Sequence, residues 1–290
     1  MKSPIDRRSF LRASRLFLAG AAVPAVLGRT SPACAEGPEK RIRKAVGWGM
    51  IQENLSAEDK LRLVKDVGFE GVEVPAQLPE RDGLEPQALA RASEKVGVPV
   101  HGVTGSHADL PGAIDVAALY HATSVLCVVR ADPNVPFMEN YRRSQEVIRA
   151  AIPLAEKKRI PILVENVWAT FLIEPLTMAR YIDELDSPLV KAYFDVGNVM
   201  RWGWPHHWIE VLGKRIGKIH IKEYNLKVAM KEGMLNGFDF PLGQGDIDWK
   251  RVCDELKRID YRGWATAEVR GGDRGRVADI SSQMDGVLEF

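Results

Sequence analysis

Cysteine is scarce in this 290-residue chain, which holds three: Cys34, Cys127 and Cys253. Small secreted folds held together by disulfides carry far more. The fold must therefore rest on a hydrophobic core, for which the length is ample. No Pro/Ser linker and no low-complexity tract divides the chain. No Gly-x-Gly-x-x-Gly follows the first strand-like segment, so a dinucleotide-binding fold loses its main support. Neither sign of charge dominates, with 40 Lys and Arg against 39 Asp and Glu. A chain without a basic excess is a poor candidate for gripping a nucleic-acid backbone.

The N-terminal 35 residues read as an export signal. Arg7-Arg8-Ser9-Phe10-Leu11 follows a short polar start. The apolar stretch Leu16–Leu27 comes next and is too short to span a bilayer well. Ala33-Cys34-Ala35 then fits a small-x-small cleavage site. The arginine pair resembles a twin-arginine signal. That route carries proteins that have already folded. It places the mature protein in the periplasm or outside the cell. Residues 1–35 hold six Lys or Arg and one acid, so cleavage takes the net charge from +1 to about −4. Cys127 and Cys253 remain, one in a predicted strand and one on a predicted helix. Both are expected as buried small apolar residues rather than as a disulfide.

From residue 36 to 290 strand-like and helix-like segments alternate strictly. Strands are predicted at 44–50, 71–75, 98–104, 124–130, 161–166, 190–195, 216–222 and 264–269. Helices are predicted near 56–67, 85–96, 111–122, 139–158, 174–185, 206–214, 248–259 and 274–288. Ser56 with Asp59 makes the first N-cap, Pro86 opens the second helix, and Gly97 closes it. Eight such units in about 250 residues predict one α/β domain, a closed (β/α)8 TIM barrel. The long connection 223–247, rich in Gly and Lys, is read as a lid.

Glu165, Asp195, His220 and Glu268 stand at or near the C-terminal ends of strands 5, 6, 7 and 8. A charged group at the end of a buried apolar run costs several kcal/mol unless something pairs it. Adjacent strand ends in a barrel converge on one mouth. Two Glu, one Asp and one His then make an oxygen-rich set for a divalent cation. Four separate buried ion pairs are the competing reading, and the succession of the four residues favours the metal. Lys222, two residues beyond His220, shares its side of the strand. His101, His107 and Trp48 are further candidates for touching a substrate, with Trp202 and Trp204 as stacking faces. Glu73, inside strand 2, is either a buried structural acid or a substrate contact.

The motifs around these residues are Val164-Glu165-Asn166, Phe194-Asp195-Val196-Gly197-Asn198 and His220-Ile221-Lys222-Glu223. Gly243-Gln244-Gly245-Asp246-Ile247-Asp248-Trp249 follows, and Gly263-Trp264 precedes Glu268. The chain resembles the xylose-isomerase-like barrel superfamily in these blocks, in particular its sugar phosphate isomerase/epimerase group. The resemblance implies Glu165, Asp195, His220 and Glu268 as metal ligands. It also implies Glu165 and Glu268 as a proton-transferring pair on opposite faces of the substrate. Many members carry His where this chain has Asn198, a residue that can bond a hydroxyl but cannot exchange a proton near neutral pH. That replacement, and the lack of Asp-x-His between 221 and 247, argue against a trinuclear zinc nuclease and a phosphodiester hydrolase.

The expected activity is isomerisation or epimerisation of an unphosphorylated sugar or polyol through an enediolate. Mn2+ is the first choice of ion, with Mg2+, Co2+ and Zn2+ as alternatives. A lyase or dehydratase acting on a keto-polyol or 3-keto-glycoside is the rival on the same scaffold. A non-catalytic sugar- or metal-binding protein is the rival from another class. The expected partners are a small carbohydrate and the twin-arginine export machinery, with a homo-oligomer left open. Nucleic acid is not expected, nor a membrane after cleavage.

Overall fold

The computed structural model describes residues 41–77, 84–168 and 171–288. The segment read as an export signal lies outside them. Eight parallel strands close into a barrel in sequence order. They are β1 (Ile42–Gly47), β2 (Gly71–Pro75), β3 (Val100–Ser106), β4 (Val125–Val128), β5 (Ile162–Glu165), β6 (Val190–Asp195), β7 (Ile216–Ile221) and β8 (Gly263–Ala267). The outer helices are α1 (Ala57–Asp66), α2 (Pro86–Val96), α3 (Leu110–Leu119), α4 (Phe137–Lys158), α5 (Pro175–Asp183) and α6 (Pro205–Leu212). After β7 come α7 (Leu226–Glu232) and α8 (Trp249–Arg258), and α9 (Arg274–Val287) follows β8. Among the described residues no helix is long and apolar enough to cross a membrane.

The caps form as the sequence predicts. Ser56 Oγ accepts the Asp59 amide at 3.1 Å, Pro86 opens α2, and Gly97 ends it with φ of +72°. Two expectations change. Trp48–Met50 is a turn of 3-10 helix rather than the end of β1, and this places Trp48 at the mouth. The 223–247 connection, read from sequence only as a lid, carries structure of its own. It folds into α7 and a further 3-10 turn, Met234–Phe238. Asn225 caps α7 by accepting the Val228 amide, and Tyr224 donates its hydroxyl to the Met234 carbonyl.

One buried acid holds this connection to the barrel. Glu223 is fully buried and accepts from four donors: the amides of Tyr224 (3.0 Å), Gly243 (2.7 Å) and Ile247 (3.4 Å), and Trp249 Nε1 (2.9 Å). A Cβ on Gly245 would collide with the same carboxylate. The Gly-x-Gly-x-x-Asp-Trp block is thus a socket for Glu223, and Asp248 caps α8 by accepting from the Arg251 amide.

The main core lies between strands and helices. Inside the barrel a smaller apolar cluster of Leu126, Leu163 and Tyr193 shares space with a buried polar chain. Lys218 Nζ lies 3.1 Å from His101 Nδ1, Thr266 Oγ1 lies 2.9 Å from His101 Nε2, and Tyr193 OH lies 3.0 Å from Thr266 Oγ1. Burial pushes the Lys218 ammonium down to about 7, against the pull of Glu73.

Replacing Glu223 with Ala strands several buried donors and should cost about 2–4 kcal/mol, read as a lower urea midpoint. Neither Cys127 nor Cys253 forms a disulfide among the described residues. Burial pushes the Cys127 thiol up to about 12. Peptide mapping should therefore find Cys127 unlabelled by iodoacetamide at pH 8 in the folded protein and labelled after denaturation.

Candidate metal centre

The strand register sets the cluster. Asp195 pairs directly with His220 across β6 and β7; Asp195 ends its strand and His220 is the last residue but one of its own. Glu165 ends β5 and Glu268 directly follows β8. One potential ligand atom from each of the four lies within 4.8 Å of all the others. His220 Nδ1 lies 3.1 Å from Glu165 Oε1, 3.1 Å from Glu268 Oε2 and 3.9 Å from Asp195 Oδ2. The first three residues are buried, whereas Glu268 opens half its side chain to the cavity.

The other imidazole nitrogen is also committed. His220 Nε2 lies 2.8 Å from Glu73 Oε2, and both side chains are buried. If Nε2 carries the proton and donates it to Glu73, Nδ1 presents its lone pair to the acidic group. That carboxylate–imidazole arrangement orients ligands in metal sites generally. Glu73 is thus the anchor of the histidine, whereas sequence alone had left it between a structural acid and a substrate contact. The signal was an acid within the apolar strand Gly71–Pro75; its partner, 147 residues away, was not legible.

Asparagines fix the carboxylate of β6. Asn166 donates through Nδ2 to the Asp195 carbonyl (2.9 Å) and accepts the Asp195 amide (2.8 Å). Asn198 donates its amide to Asp195 Oδ1 (2.8 Å) and its Nδ2 to the Asn166 carbonyl (2.9 Å). Asn198 therefore braces the site, a role the sequence did not suggest. Lys222 enters the cluster itself, 2.8 Å from Asp195 Oδ2 and 2.7 Å from Glu268 Oε2. A Cβ at Gly197 would strike its stem, which explains the glycine between Asp195 and Asn198.

The electrostatics divide the two glutamates. Burial pushes Glu165 up to about 7, outweighing its hydrogen bond to His220. Burial acts on Glu268 in the same sense, but His220 and Lys222 overcome it and hold that carboxyl well below the usual range. Asp195 is raised by burial, with Lys222 opposing. Burial also disfavours charge on His220 and Lys222, yet the acids around them raise both.

The donor set fits a divalent cation. Three carboxylates and an imidazole nitrogen converge, and Asp195 Oδ2 is a buried oxygen with no well-directed hydrogen-bond donor. A cavity of about 360 Å³ opens beside them, lined by Trp48, Met50, Lys60, Thr104, His220 and Glu268 among others.

Two predicted substrate contacts lie elsewhere. His101 is sealed inside the barrel with both ring nitrogens engaged and its ring stacked on Trp264. It sits near the start of β3, below the mouth. His107 Nε2 lies 3.0 Å from the Ser144 carbonyl and borders a separate cavity with Arg130. Trp202 and Trp204 are exposed rather than packed in the core.

Residues 61–286 match the family profile described as the xylose isomerase-like TIM barrel. A putative L-ribulose-5-phosphate 3-epimerase from Haemophilus influenzae is 28% identical over 126 residues, 43% of each chain. An inosose dehydratase from Histophilus somni is 27% identical over 129 residues, 40% of this chain and 43% of its own. The chain thus spans less than half the length of these curated relatives. The crystal structure of a D-allulose 3-epimerase from Methylomonas sp. superposes with a TM-score of 0.71 at 17% identity, covering 86% of this chain and 99% of that one.

If the cluster holds a divalent cation, Asp195→Asn should abolish its stoichiometric binding, read by elemental analysis after gel filtration. Glu73→Gln keeps every ligand and should still weaken binding by about 10- to 100-fold in a metal titration.

Proposed function

The chain belongs to the xylose isomerase-like TIM barrel family, and on that premise we propose that it is a divalent-metal-dependent isomerase or epimerase of an unphosphorylated sugar or polyol. The observation that carries the reading is the pair Glu165 and Glu268, each 3.1 Å from the same imidazole nitrogen and held in opposite protonation tendencies. A carboxyl pair pushed apart in this way divides acid and base duties.

Glu165, Asp195, His220 and Glu268 would hold the ion, with Mn2+ favoured by the hard oxygen donors and Zn2+ the main alternative. Bound there, it supplies Lewis acidity toward a carbonyl and its neighbouring hydroxyl. Glu268 meets Lys222 and His220 through Oε2, which leaves Oε1 to take the proton from the carbon between those two groups. Glu165 meets His220 through Oε1, which leaves Oε2 to deliver a proton to the opposite face of that carbon. Lys222 keeps Glu268 ionised and sits where charge develops on the substrate oxygens. Trp48 and Met50 give the cavity an apolar wall. Export through the twin-arginine route is part of the same proposal and favours substrates without phosphate.

A lyase is the second reading, because the partial relatives include an inosose dehydratase. It begins with the same proton removal and ends with loss of a leaving group. A panel of unphosphorylated ketoses, aldoses and 3-keto-glycosides, assayed with Mn2+ and with chelator, separates the readings. An epimer or aldose–ketose pair that acquires deuterium from D2O supports the isomerase. Loss of water or an aglycone supports the lyase. No metal-dependent turnover across the panel would favour a binding protein instead. Glu165→Gln and Glu268→Gln should each lower turnover by about 10²- to 10⁴-fold.

A further inference from the structure

Among the described residues Lys60 has no acidic partner, although acids surround it in sequence. It lies in α1, half-buried, and lines the cavity shared with His220 and Glu268. Its Nζ rests 5.3 Å over the ring of Trp48, which holds the cation against the cavity wall. The nearby carboxylates are all engaged elsewhere. Glu58 pairs with Arg62 and with Lys95 (2.9 Å). Asp59 binds Ser56 and Arg62 (2.9 Å), and Glu53 accepts the Arg274 amide. The other lysine of the site, Lys222, is already neutralised by Asp195 and Glu268.

A cation near the start of a helix also works against the helix dipole. Such a residue, half-buried and without a counter-ion among the described residues, breaks local rules in the way functional residues do. The cavity therefore presents two charged points, the acidic cluster and Lys60, joined by an apolar wall of Trp48, Met50, Ile51 and Pro75. A ligand filling it needs a polar end at the cluster, a C–H face along the wall and an anion or strong acceptor at Lys60.

We propose that Lys60 recognises a carboxylate on the substrate, so that the sugar taken is an acidic one of the uronate class. This rests on reading the cavity as a sugar site, as above. One ammonium suits a monoanionic carboxylate. A phosphate dianion calls for an Arg fork or several backbone amides, and no Arg among the described residues lines this cavity.

Calorimetric titration of the Mn2+-loaded protein with D-fructose, D-fructuronate and D-fructose 6-phosphate tests this on one carbon skeleton. D-Fructuronate should bind roughly 10- to 100-fold tighter than D-fructose, the size of a charge-assisted hydrogen bond. Lys60→Met should collapse that preference to about one, and Lys60→Arg should keep it, with melting temperature and bound metal as controls on folding. D-Fructuronate binding no tighter than D-fructose, including no binding of either, would overturn the proposal. So would a preference that survives in Lys60→Met, or tighter binding of the phosphate than of the carboxylate. Carboxylate-selective binding without turnover of any of the three supports the anion site and counts against the isomerase reading instead.

Discussion

A single imidazole at the barrel mouth must serve two sides at once. His220 turns Nε2 to Glu73 and Nδ1 to Glu165, Glu268 and Asp195. Neither side is affordable alone. A buried imidazole between four acids gains charge, and four acids, three of them buried, repel one another around a neutral ring. The arrangement becomes consistent when Nε2 carries the proton toward Glu73 and a cation shares the acids on the other side. Lys222 supplies part of that positive charge, and a divalent ion would supply the rest.

The surroundings hold this point still. Asn166 grips the backbone of Asp195 in both directions, and Asn198 braces its carboxylate. Glu223, one residue beyond Lys222, ties the long β7–β8 connection to the strand end that carries His220. The motif His220-Ile221-Lys222-Glu223 thus joins ligand, charge balance and loop anchor in four residues. It alternates in direction as a strand requires, with His220 and Lys222 toward the mouth and Glu223 away.

The barrel and the four cluster residues were legible because each rests on a local conflict: an acid or histidine at the end of an apolar strand. The eight-unit alternation and the caps at Ser56, Pro86 and Gly97 are equally local, and the structure follows them. What sequence could not supply was depth along the strand. His101 has the right residue type but sits near the start of β3, so it joins Lys218 and Thr266 inside the barrel. His107 leaves the mouth because its ring is tied to the Ser144 carbonyl. Glu73 and Glu223 depend on partners far along the chain or on a loop fold, which a strand pattern does not encode. The connection read as a lid contains α7 because Asn225 caps a helix there.

The central claim is that this imidazole faces a divalent ion through Nδ1 while Glu73 holds Nε2. An anomalous-difference map collected at the Mn absorption edge from crystals of the Mn2+-loaded protein tests it directly. The account predicts one peak within bonding distance of His220 Nδ1, Asp195, Glu165 and Glu268, with Glu73 still on Nε2. No peak at the cluster, or a peak bound through Nε2, would contradict it.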